Sequence, residues 1–203
     1  HALDAAALGG LEGLGIETPK GLAKLKKRLE NFTEVEEMET PLEIKATLRD
    51  YQKSGFQWMQ FLARHGLHGI LADDMGLGKT LQTPAHLMAE KVSGRSGGMP
   101  SLVVAPTSVV PNWRAEAMKF APGLSVLVLN GADRKKYYRS IPHADLVITS
   151  FALLQRDIAK LSEVKFHIVA LDEAQYIKNP RAKVSQAACK LVARHRLCLS
   201  GTP

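Results

Sequence analysis

The sequence predicts an α/β domain built on a mainly parallel central sheet, and three observations support this prediction. Short apolar runs alternate with longer stretches of helical periodicity from Ile44 onward. These runs are apolar throughout instead of alternating with polar residues, as expected of strands that are buried on both faces. Parallel strands also need a long crossover connection, which the intervening helical stretches supply.

The elements follow one another in a regular order. A first helix is indicated by apolar residues at helical spacing, namely Leu48, Tyr51, Gly55, Trp58 and Leu62. Strands are expected at residues 69–72, 102–105, 126–129, 146–149, 168–171 and 197–199. The helices between them are predicted at residues 79–91, 109–120, 133–139, 151–161 and 182–195.

Residues 1–45 have a different pattern and predict a helical extension with a linker. Thr18 and Pro19 provide an N-cap and a first-turn proline. Apolar residues follow at three- and four-residue steps: Leu22, Leu25, Leu29 and Phe32. An acidic, turn-prone stretch comes next, so we expect residues 46–203 to form the main domain.

Composition excludes several classes of protein. The chain has 203 residues, of which 45% are hydrophobic and 23% charged, which is typical of a globular protein and excludes a disordered or collagen-like one. No apolar run approaches the roughly 20 residues of a membrane-spanning helix, and no signal peptide is recognisable. Cys189 and Cys198 form no CxxC pair, which favours a reducing, intracellular compartment. The net charge of +7 favours a polyanionic partner such as nucleic acid.

The segment from Leu71 to Thr80 indicates a phosphate-binding loop. An apolar strand ends there and a helix begins at once, with Gly76 and Gly78 between them. Glycines at this junction let the backbone N–H groups surround phosphate oxygens at the helix N-terminus. Lys79 can then reach the β- and γ-phosphates, and the Thr80 hydroxyl can bind Mg²⁺. Asp73 stands where the general Walker A pattern has glycine, so that pattern alone leaves an ordinary glycine-rich turn as an alternative.

A pair of carboxylates supplies the second half of this site. The apolar run from Phe166 to Leu171 leads directly into Asp172 and Glu173. Carboxylates at the end of a buried strand suit a magnesium nucleotide site, where Asp172 holds Mg²⁺ through water and Glu173 activates the attacking water. A solvated acidic turn is the alternative for any single Asp-Glu pair. The histidines have no metal-binding spacing, so no other metal site is expected.

From about Leu42 to Pro203 the sequence resembles the first RecA-like lobe of Swi/Snf-type ATPases, a branch of the superfamily-2 helicase-like translocases. The matching motifs occur in the order of that family. They are the adenine-recognising segment 48–52, the phosphate loop 73–80, the segment from Val104 to Glu116, the acidic box 172–179 and the closing Ser-Gly-Thr-Pro at 200–203.

This resemblance implies roles for individual residues. Arg49 and Gln52 would contact the adenine of ATP. Asp73, Met75, Gly76, Leu77 and Gly78 would form the nucleotide-binding loop with Lys79 and Thr80, and Thr80 and Asp172 would serve Mg²⁺. Glu173 and Lys79 would be catalytic, and Ser200 and Thr202 would couple nucleotide state to lobe movement. The residues Pro106, Thr107, Thr149 and Ser150 would contact a DNA backbone.

The resemblance also implies partners and an activity. The expected partners are double-stranded DNA, a second RecA-like lobe and a DNA-bound protein complex that ATP-driven translocation remodels; no membrane is expected. The chain stops at Pro203, before any second lobe, so we expect this chain alone to bind Mg-ATP weakly and to hydrolyse it poorly. A bacterial, nucleoid-associated protein is favoured, and a nuclear one is the eukaryotic counterpart.

Three departures from the family pattern and two alternatives remain open. Asp50 stands in place of a usual proline, Gln175 in place of histidine, and Pro84 falls inside the helix after the phosphate loop. The mixed basic and aromatic segment 133–139 fits a solvated helix better than a nucleic-acid surface. The alternatives are a lobe of a superfamily-2 RNA helicase, and a non-enzymatic module that binds a protein partner.

Overall fold

The computed structural model describes residues 38–73 and 78–201. Six strands and five α-helices alternate along this part of the chain. The helices are α1 (Asp50–His65), α2 (Lys79–Val92), α3 (Val110–Phe120), α4 (Phe151–Leu161) and α5 (Lys183–Lys190). The strands are β1 (Gly69–Leu71), β2 (Ser101–Ala105), β3 (Val126–Val128), β4 (Leu146–Ser150), β5 (Lys165–Asp172) and β6 (Val192–Leu199). Two 3₁₀ segments, Ala132–His143 and Ala174–Ile177, complete the connections.

All six strands lie in one parallel sheet in the order β1-β6-β5-β2-β4-β3. This confirms the predicted α/β class with a parallel sheet. The register aligns Leu71 of β1 and Asp172 of β5 with the same residue of β6, Leu199. The strand before the phosphate loop and the strand that carries the acidic pair therefore end at the same level.

Each face of the sheet is covered by helices over its own hydrophobic core. One core packs α1, α2 and α3 on the sheet, with Phe56, Met59 and Trp113 completely buried. The other packs α4, α5 and the longer 3₁₀ segment on the opposite face, around Leu154, Leu161 and Phe166. The central strands β2 and β4 are buried at every residue, which explains their apolar runs at residues 102–105 and 146–148.

The structure corrects the predicted helix at residues 182–195. Helix α5 ends at Lys190, and Leu191 already has an extended backbone. From Val192 onward the chain pairs with the first half of β5, so β6 has eight residues instead of the predicted three. Apolar residues at 184, 187 and 188 do lie on one face of α5, but hydrogen bonding to β5 overrides the helical pattern after residue 190.

Two other elements differ in detail. Residues 132–143 form 3₁₀ turns, not the short α-helix expected at 133–139. In α1, Tyr51 is exposed, whereas Phe56 and Met59 are the residues that enter the core. The helix α2 continues through Pro84, which has no N–H to donate to the Thr80 carbonyl four residues earlier.

The predicted helix in residues 18–32 lies outside the described residues. The compact unit that the structure describes begins at Met38, and Ile44 is buried in the core that α1, α2 and α3 share. The backbone N–H of Lys45 donates to the carbonyl of Phe120 at the end of α3. The domain boundary expected at residue 45 stays a prediction.

Candidate active site

The candidate residues gather at the carboxyl edge of the sheet, where parallel strands commonly present a ligand site. Helix α2 starts just beyond β1, and the acidic pair lies at the end of β5. Between these strands, β6 runs into Ser200, whose N–H donates to the carbonyl of Leu71. This bond ties the chain after β6 to the strand that precedes the phosphate loop.

The start of α2 has the geometry of an anion site. Gly78 is the N-cap with φ of 78°, a left-handed conformation that glycine adopts without strain. The N–H groups of Leu81 and Gln82 return to the Gly78 carbonyl, so the N–H groups before them lie outside the helical ladder and point along the axis. Lys79 is buried, and its Nζ donates to the Asp73 carbonyl at 2.5 Å. Met75, Gly76 and Leu77 lie outside the described residues.

Gln52 lies directly over this helix start. A Cβ placed on Gly78 would come within 2.3 Å of Gln52 Nε2. The Gln52 Oε1 accepts a hydrogen bond from the Arg49 backbone N–H at 3.0 Å, and the side chain is buried. Segment 48–52 and the start of α2 are therefore in contact, and a Cβ at position 78 would displace the Gln52 amide.

Asp172 is held at both carboxylate oxygens. Trp113 Nε1 donates to Oδ2 at 2.7 Å, and the Glu173 backbone N–H donates to Oδ1 at 3.0 Å. Burial raises the pKa of Asp172 above its usual range, while the Trp113 hydrogen bond and the Lys79 ammonium act in the opposite direction. The Lys79 ammonium is thus close enough to Asp172 to stabilise its ionised carboxylate.

Glu173 begins a chain of side chains that reaches β6. Its backbone has φ of 51° and ψ of 56°, an uncommon left-handed conformation for a residue other than glycine. Gln175 Nε2 donates to Glu173 Oε2 at 2.7 Å, and Ser200 Oγ donates to Gln175 Oε1 at 3.4 Å. The glutamine in place of the expected histidine thus connects the proposed catalytic carboxylate to Ser200. Thr202 lies outside the described residues.

The residues present fit a magnesium nucleotide. Mg²⁺ prefers oxygen ligands and retains several waters, so the Asp172 carboxylate and the Thr80 hydroxyl are suitable donors. The N-terminus of α2 and the Lys79 ammonium supply positive charge for phosphates. Within residues 38–73 and 78–201, no group of three or more His, Cys, Asp or Glu side chains could hold a metal ion by itself.

The four residues expected to contact DNA differ in accessibility. Thr107 is exposed, whereas Pro106 is buried. Thr149 is completely buried and its hydroxyl donates to the Leu129 carbonyl at 3.2 Å. Ser150 is buried too, and its hydroxyl caps α4 by accepting the Leu153 N–H at 3.3 Å. In this conformation Thr107 is the one of the four whose side chain reaches the surface.

A groove lies beside these residues at the same edge of the sheet. It has a volume of about 500 Å³ and lies between the loop after β2, the start of α4 and the shorter 3₁₀ segment. Thr107 and Ser108 form one wall, and Phe151 and Tyr176 another. The two aromatic rings are stacked, with centroids 5.2 Å apart.

Trp113 is a site residue that the sequence analysis did not identify. It is fully buried, and its indole N–H donates to the candidate site residue Asp172. A usable signal existed, since a buried tryptophan needs an acceptor for its N–H. Trp113 lies in the first turns of α3, the helix that follows β2, and β2 pairs with the strand that carries Asp172.

Comparison with known proteins agrees with this geometry. The chain is 41% identical over 204 residues to the putative ATP-dependent helicase/translocase YwqA of Bacillus subtilis, which covers 99% of this chain and 22% of that protein. It is 40% identical over 212 residues to the TATA-binding protein-associated factor mot1 of Aspergillus fumigatus, covering 93% of this chain and 11% of that protein. The chain thus spans less than a quarter of the length of these two curated relatives.

A solved structure also matches the described fold. The SWI2/SNF2 ATPase core of Sulfolobus solfataricus in complex with double-stranded DNA superposes with a TM-score of 0.77 and 43% sequence identity. The match covers 83% of this chain and 34% of that one. The SNF2-related domain family matches residues 51–203, so the chain belongs to the SNF2-related domain family.

Proposed function

We propose that this chain is the first RecA-like lobe of an ATPase that binds Mg-ATP and translocates on double-stranded DNA. The observation that carries the proposal is the arrangement of Lys79 at the glycine-capped start of α2 and Asp172 at the end of β5, with their strands in register across β6. This is the arrangement that nucleotide hydrolysis needs, because phosphates and Mg²⁺ are bound between the two.

In this proposal each described residue has one task. Lys79 and the α2 N-terminus bind the phosphates, and Thr80 and Asp172 bind Mg²⁺, which neutralises charge on the phosphates when present. Glu173 orients the attacking water and takes its proton. Gln52, with Arg49 beside it, reads the adenine. Ser200 senses the state of Glu173 through Gln175, since these three side chains are joined by hydrogen bonds.

Double-stranded DNA is the polymer we propose for the carboxyl edge. The solved relative was crystallised with double-stranded DNA, and the net charge of +7 favours a polyanion. Segment 174–203 contains no Asp or Glu, and Lys178, Arg181 and Lys183 are exposed next to the groove residues Tyr176 and Val184. Thr107 with backbone N–H groups of its loop would contact the phosphates without reading sequence.

The active enzyme would need a second RecA-like lobe. An arginine supplied from such a lobe would stabilise the transition state, a contribution of roughly 10³–10⁵ in rate for arginine fingers. We further propose that translocation remodels a DNA-bound protein complex, since one group of relatives is named for association with the TATA-binding protein. The protein would then be found where DNA is, in a bacterial cytoplasm or a eukaryotic nucleus. No helix among the described residues is long and apolar enough to cross a membrane.

Nucleotide binding and ATP hydrolysis by this chain test the proposal. Both are measured with linear duplex DNA, with single-stranded RNA and with neither, in the wild type and in Lys79→Ala. Lys160→Ala is the matched control, because Lys160 is an exposed lysine that pairs with Glu163 on the surface. We expect Mg-ATP binding that Lys79→Ala abolishes and Lys160→Ala retains, with little hydrolysis by the chain alone.

Each other outcome has a definite meaning. Binding that Lys79→Ala leaves intact would contradict the nucleotide site and favour a module that binds a protein partner. Stimulation by RNA instead of duplex DNA would favour an RNA helicase. Lys79-dependent turnover comparable to that of complete ATPases would contradict the need for a second lobe.

A further inference from the structure

Trp113 links the proposed Mg²⁺ ligand Asp172 to the loop after β2 that we propose contacts DNA. Its indole lies fully inside the core between α3 and the sheet, and its N–H donates to Asp172 Oδ2 at 2.7 Å. The other oxygen of Asp172 accepts the N–H of the adjoining residue, Glu173. Each carboxylate oxygen of Asp172 therefore accepts one hydrogen bond, and together the two bonds fix the plane of the carboxylate. The Glu173 donor adjoins Asp172 in the chain, whereas Trp113 lies on α3, in the connection that follows β2.

The backbone of Trp113 is tied to the loop that faces the groove. Trp113 N donates to the Val109 carbonyl at 3.0 Å, and Val109 N donates to the Pro106 carbonyl at 2.9 Å. These two bonds join the loop after β2 to the first turn of α3. Thr107 and Ser108, which line the groove, lie inside the span that these bonds close. The loop is therefore joined by backbone hydrogen bonds to the residue whose indole donates to Asp172.

We propose that Trp113 is a positioning residue that fixes the Asp172 carboxylate for Mg²⁺ and transmits DNA contact at residues 106–109 to that carboxylate. This inference rests on the proposed function, because it assumes Mg-nucleotide binding at Asp172 and DNA binding at the loop. Thermodynamic linkage makes the effect reciprocal: if duplex DNA changes the affinity for Mg-nucleotide by some factor, Mg-nucleotide changes the affinity for DNA by the same factor.

Trp113→Phe separates the hydrogen bond from the packing. Phenylalanine keeps an aromatic ring in the core but has no N–H to donate. Trp58→Phe is the matched control, because it is the same substitution at the other of the two tryptophans. The Trp58 ring lies beside Gly69, where an added Cβ would come within 2.5 Å of it. Unfolding curves of both variants establish that they fold.

The measured quantity is the affinity of a fluorescent ATP analogue in EDTA and in Mg²⁺, each with and without duplex DNA. For Trp113→Phe we expect the wild-type affinity in EDTA. The gain from Mg²⁺, which is the factor by which Mg²⁺ increases the affinity, should be roughly 10-fold smaller than in the wild type, as is typical when a metal ligand loses its hydrogen-bond partner. The factor by which duplex DNA changes this gain should fall to about one, since the hydrogen bond that transmits it is gone. Trp58→Phe should keep both wild-type values.

A second measurement keeps the native hydrogen bond. In the Trp58→Phe chain Trp113 is the single tryptophan, so its fluorescence reports on its own surroundings. Saturating duplex DNA should shift Trp113 emission in the absence of nucleotide, and Thr107→Ala should weaken that shift.

The outcomes separate this inference from the proposed function. If the wild type binds nucleotide and DNA with no mutual effect, or if Trp113→Phe keeps the wild-type gain and coupling factor, the inference is wrong and the proposed function stands. Unchanged Trp113 emission at saturating DNA would also overturn it. If the wild type binds neither Mg-nucleotide nor DNA, the proposed function itself fails.

Discussion

The side-chain amide of Gln175 donates a hydrogen bond of 2.7 Å to the carboxylate of Glu173. Glu173 has a left-handed backbone, so its side chain leaves the strand end in a direction that the sheet alone would not produce. The amide holds the carboxylate in that direction, and its own oxygen accepts a hydrogen bond from Ser200. The orientation of the proposed catalytic carboxylate therefore depends on a neighbour two residues away.

Replacing Gln175 with leucine should slow catalysis without weakening nucleotide binding. The substitution keeps the size of the side chain and removes the donor to Glu173, and a hydrogen bond to a charged group contributes about 1.5–3 kcal/mol. We expect the rate of ATP hydrolysis to fall by about 10- to 100-fold, while the affinity for Mg-ATP is unchanged. Steady-state kinetics on a protein that contains both lobes would measure the two separately.

Two further variants control this experiment. Gln175→His retains a donor at the same position and should recover part of the rate. Gln186→Leu removes an exposed glutamine amide from α5 and should change neither parameter. A Gln175→Leu enzyme with the wild-type rate would show that Glu173 needs no support from Gln175.

Gly78 and Gly94 form a matched pair, because both have a left-handed backbone with φ of 78° and 72°. Alanine at either position should lower the free energy of unfolding by about 1 kcal/mol, the cost of that conformation for a residue with a Cβ. At Gly94 the Cβ meets no atom within 4 Å, whereas at Gly78 it meets the Gln52 amide at 2.3 Å. We therefore expect Gly78→Ala alone to reduce nucleotide affinity, by tenfold or more, as measured by titration. Equal nucleotide affinity in the two variants would mean that the Gln52 contact does not shape the site.

The sequence could predict those parts of the site that are short motifs located after a strand. Asp172 lies directly after one apolar run and Lys79 lies after the loop that follows another, and parallel strands bring such positions to one edge. Trp113 could not be assigned in this way, since its partner lies 59 residues away and is reached only through the lateral order of β2 and β5. The same limit applied to β6, where residues 192–195 continue a helical pattern but pair with β5.

A buried polar network was likewise beyond sequence reasoning. Gln60 Nε2 donates to His86 Nδ1 at 2.7 Å, and Glu90 contacts both Arg95 and His167 at 3.0 Å or less. These residues come from α1, α2, the turn after it and β5, so no local pattern unites them. Buried polar side chains are stable only when they are paired, and the pairing here depends on the complete fold.

This network predicts that stability falls on acidification from about pH 6.5. Burial lowers the pKa of His86 from 6.5 to about 4, so between these values the unfolded chain binds a proton that the folded chain does not. Burial opposes ionisation of Glu90, but hydrogen bonds from His167 and Arg95 lower its pKa from 4.5 to about 2. Glu90 therefore adds a further loss of stability as the pH falls below about 4.5.

Urea unfolding at pH 7.5, 6 and 5 would measure this effect. His86→Gln keeps a polar side chain but removes the His86 contribution to the pH dependence, which is at most about 3 kcal/mol in the free energy of unfolding. The stability of this variant should therefore depend less steeply on pH. Some dependence should remain, because burial also lowers the pKa of His195. His143→Gln, at an exposed position, is the control and should follow the wild type. An unchanged slope in His86→Gln would contradict the assignment to His86.

Arg134 and Lys136 distinguish a structural ion pair from a solvated one within the basic segment 132–143. Arg134 donates to both carboxylate oxygens of the buried Asp157, at 2.6 and 2.8 Å, whereas Lys136 and its partner Asp133 are each about three-quarters exposed. Arg134→Ala should lower the free energy of unfolding by about 3 kcal/mol, because it leaves a buried carboxylate without its cationic partner. Lys136→Ala should change it by less than about 0.5 kcal/mol, since an exposed pair contributes little. Urea unfolding of both variants measures the difference, and equal values would mean that Arg134 does not anchor this segment to α4.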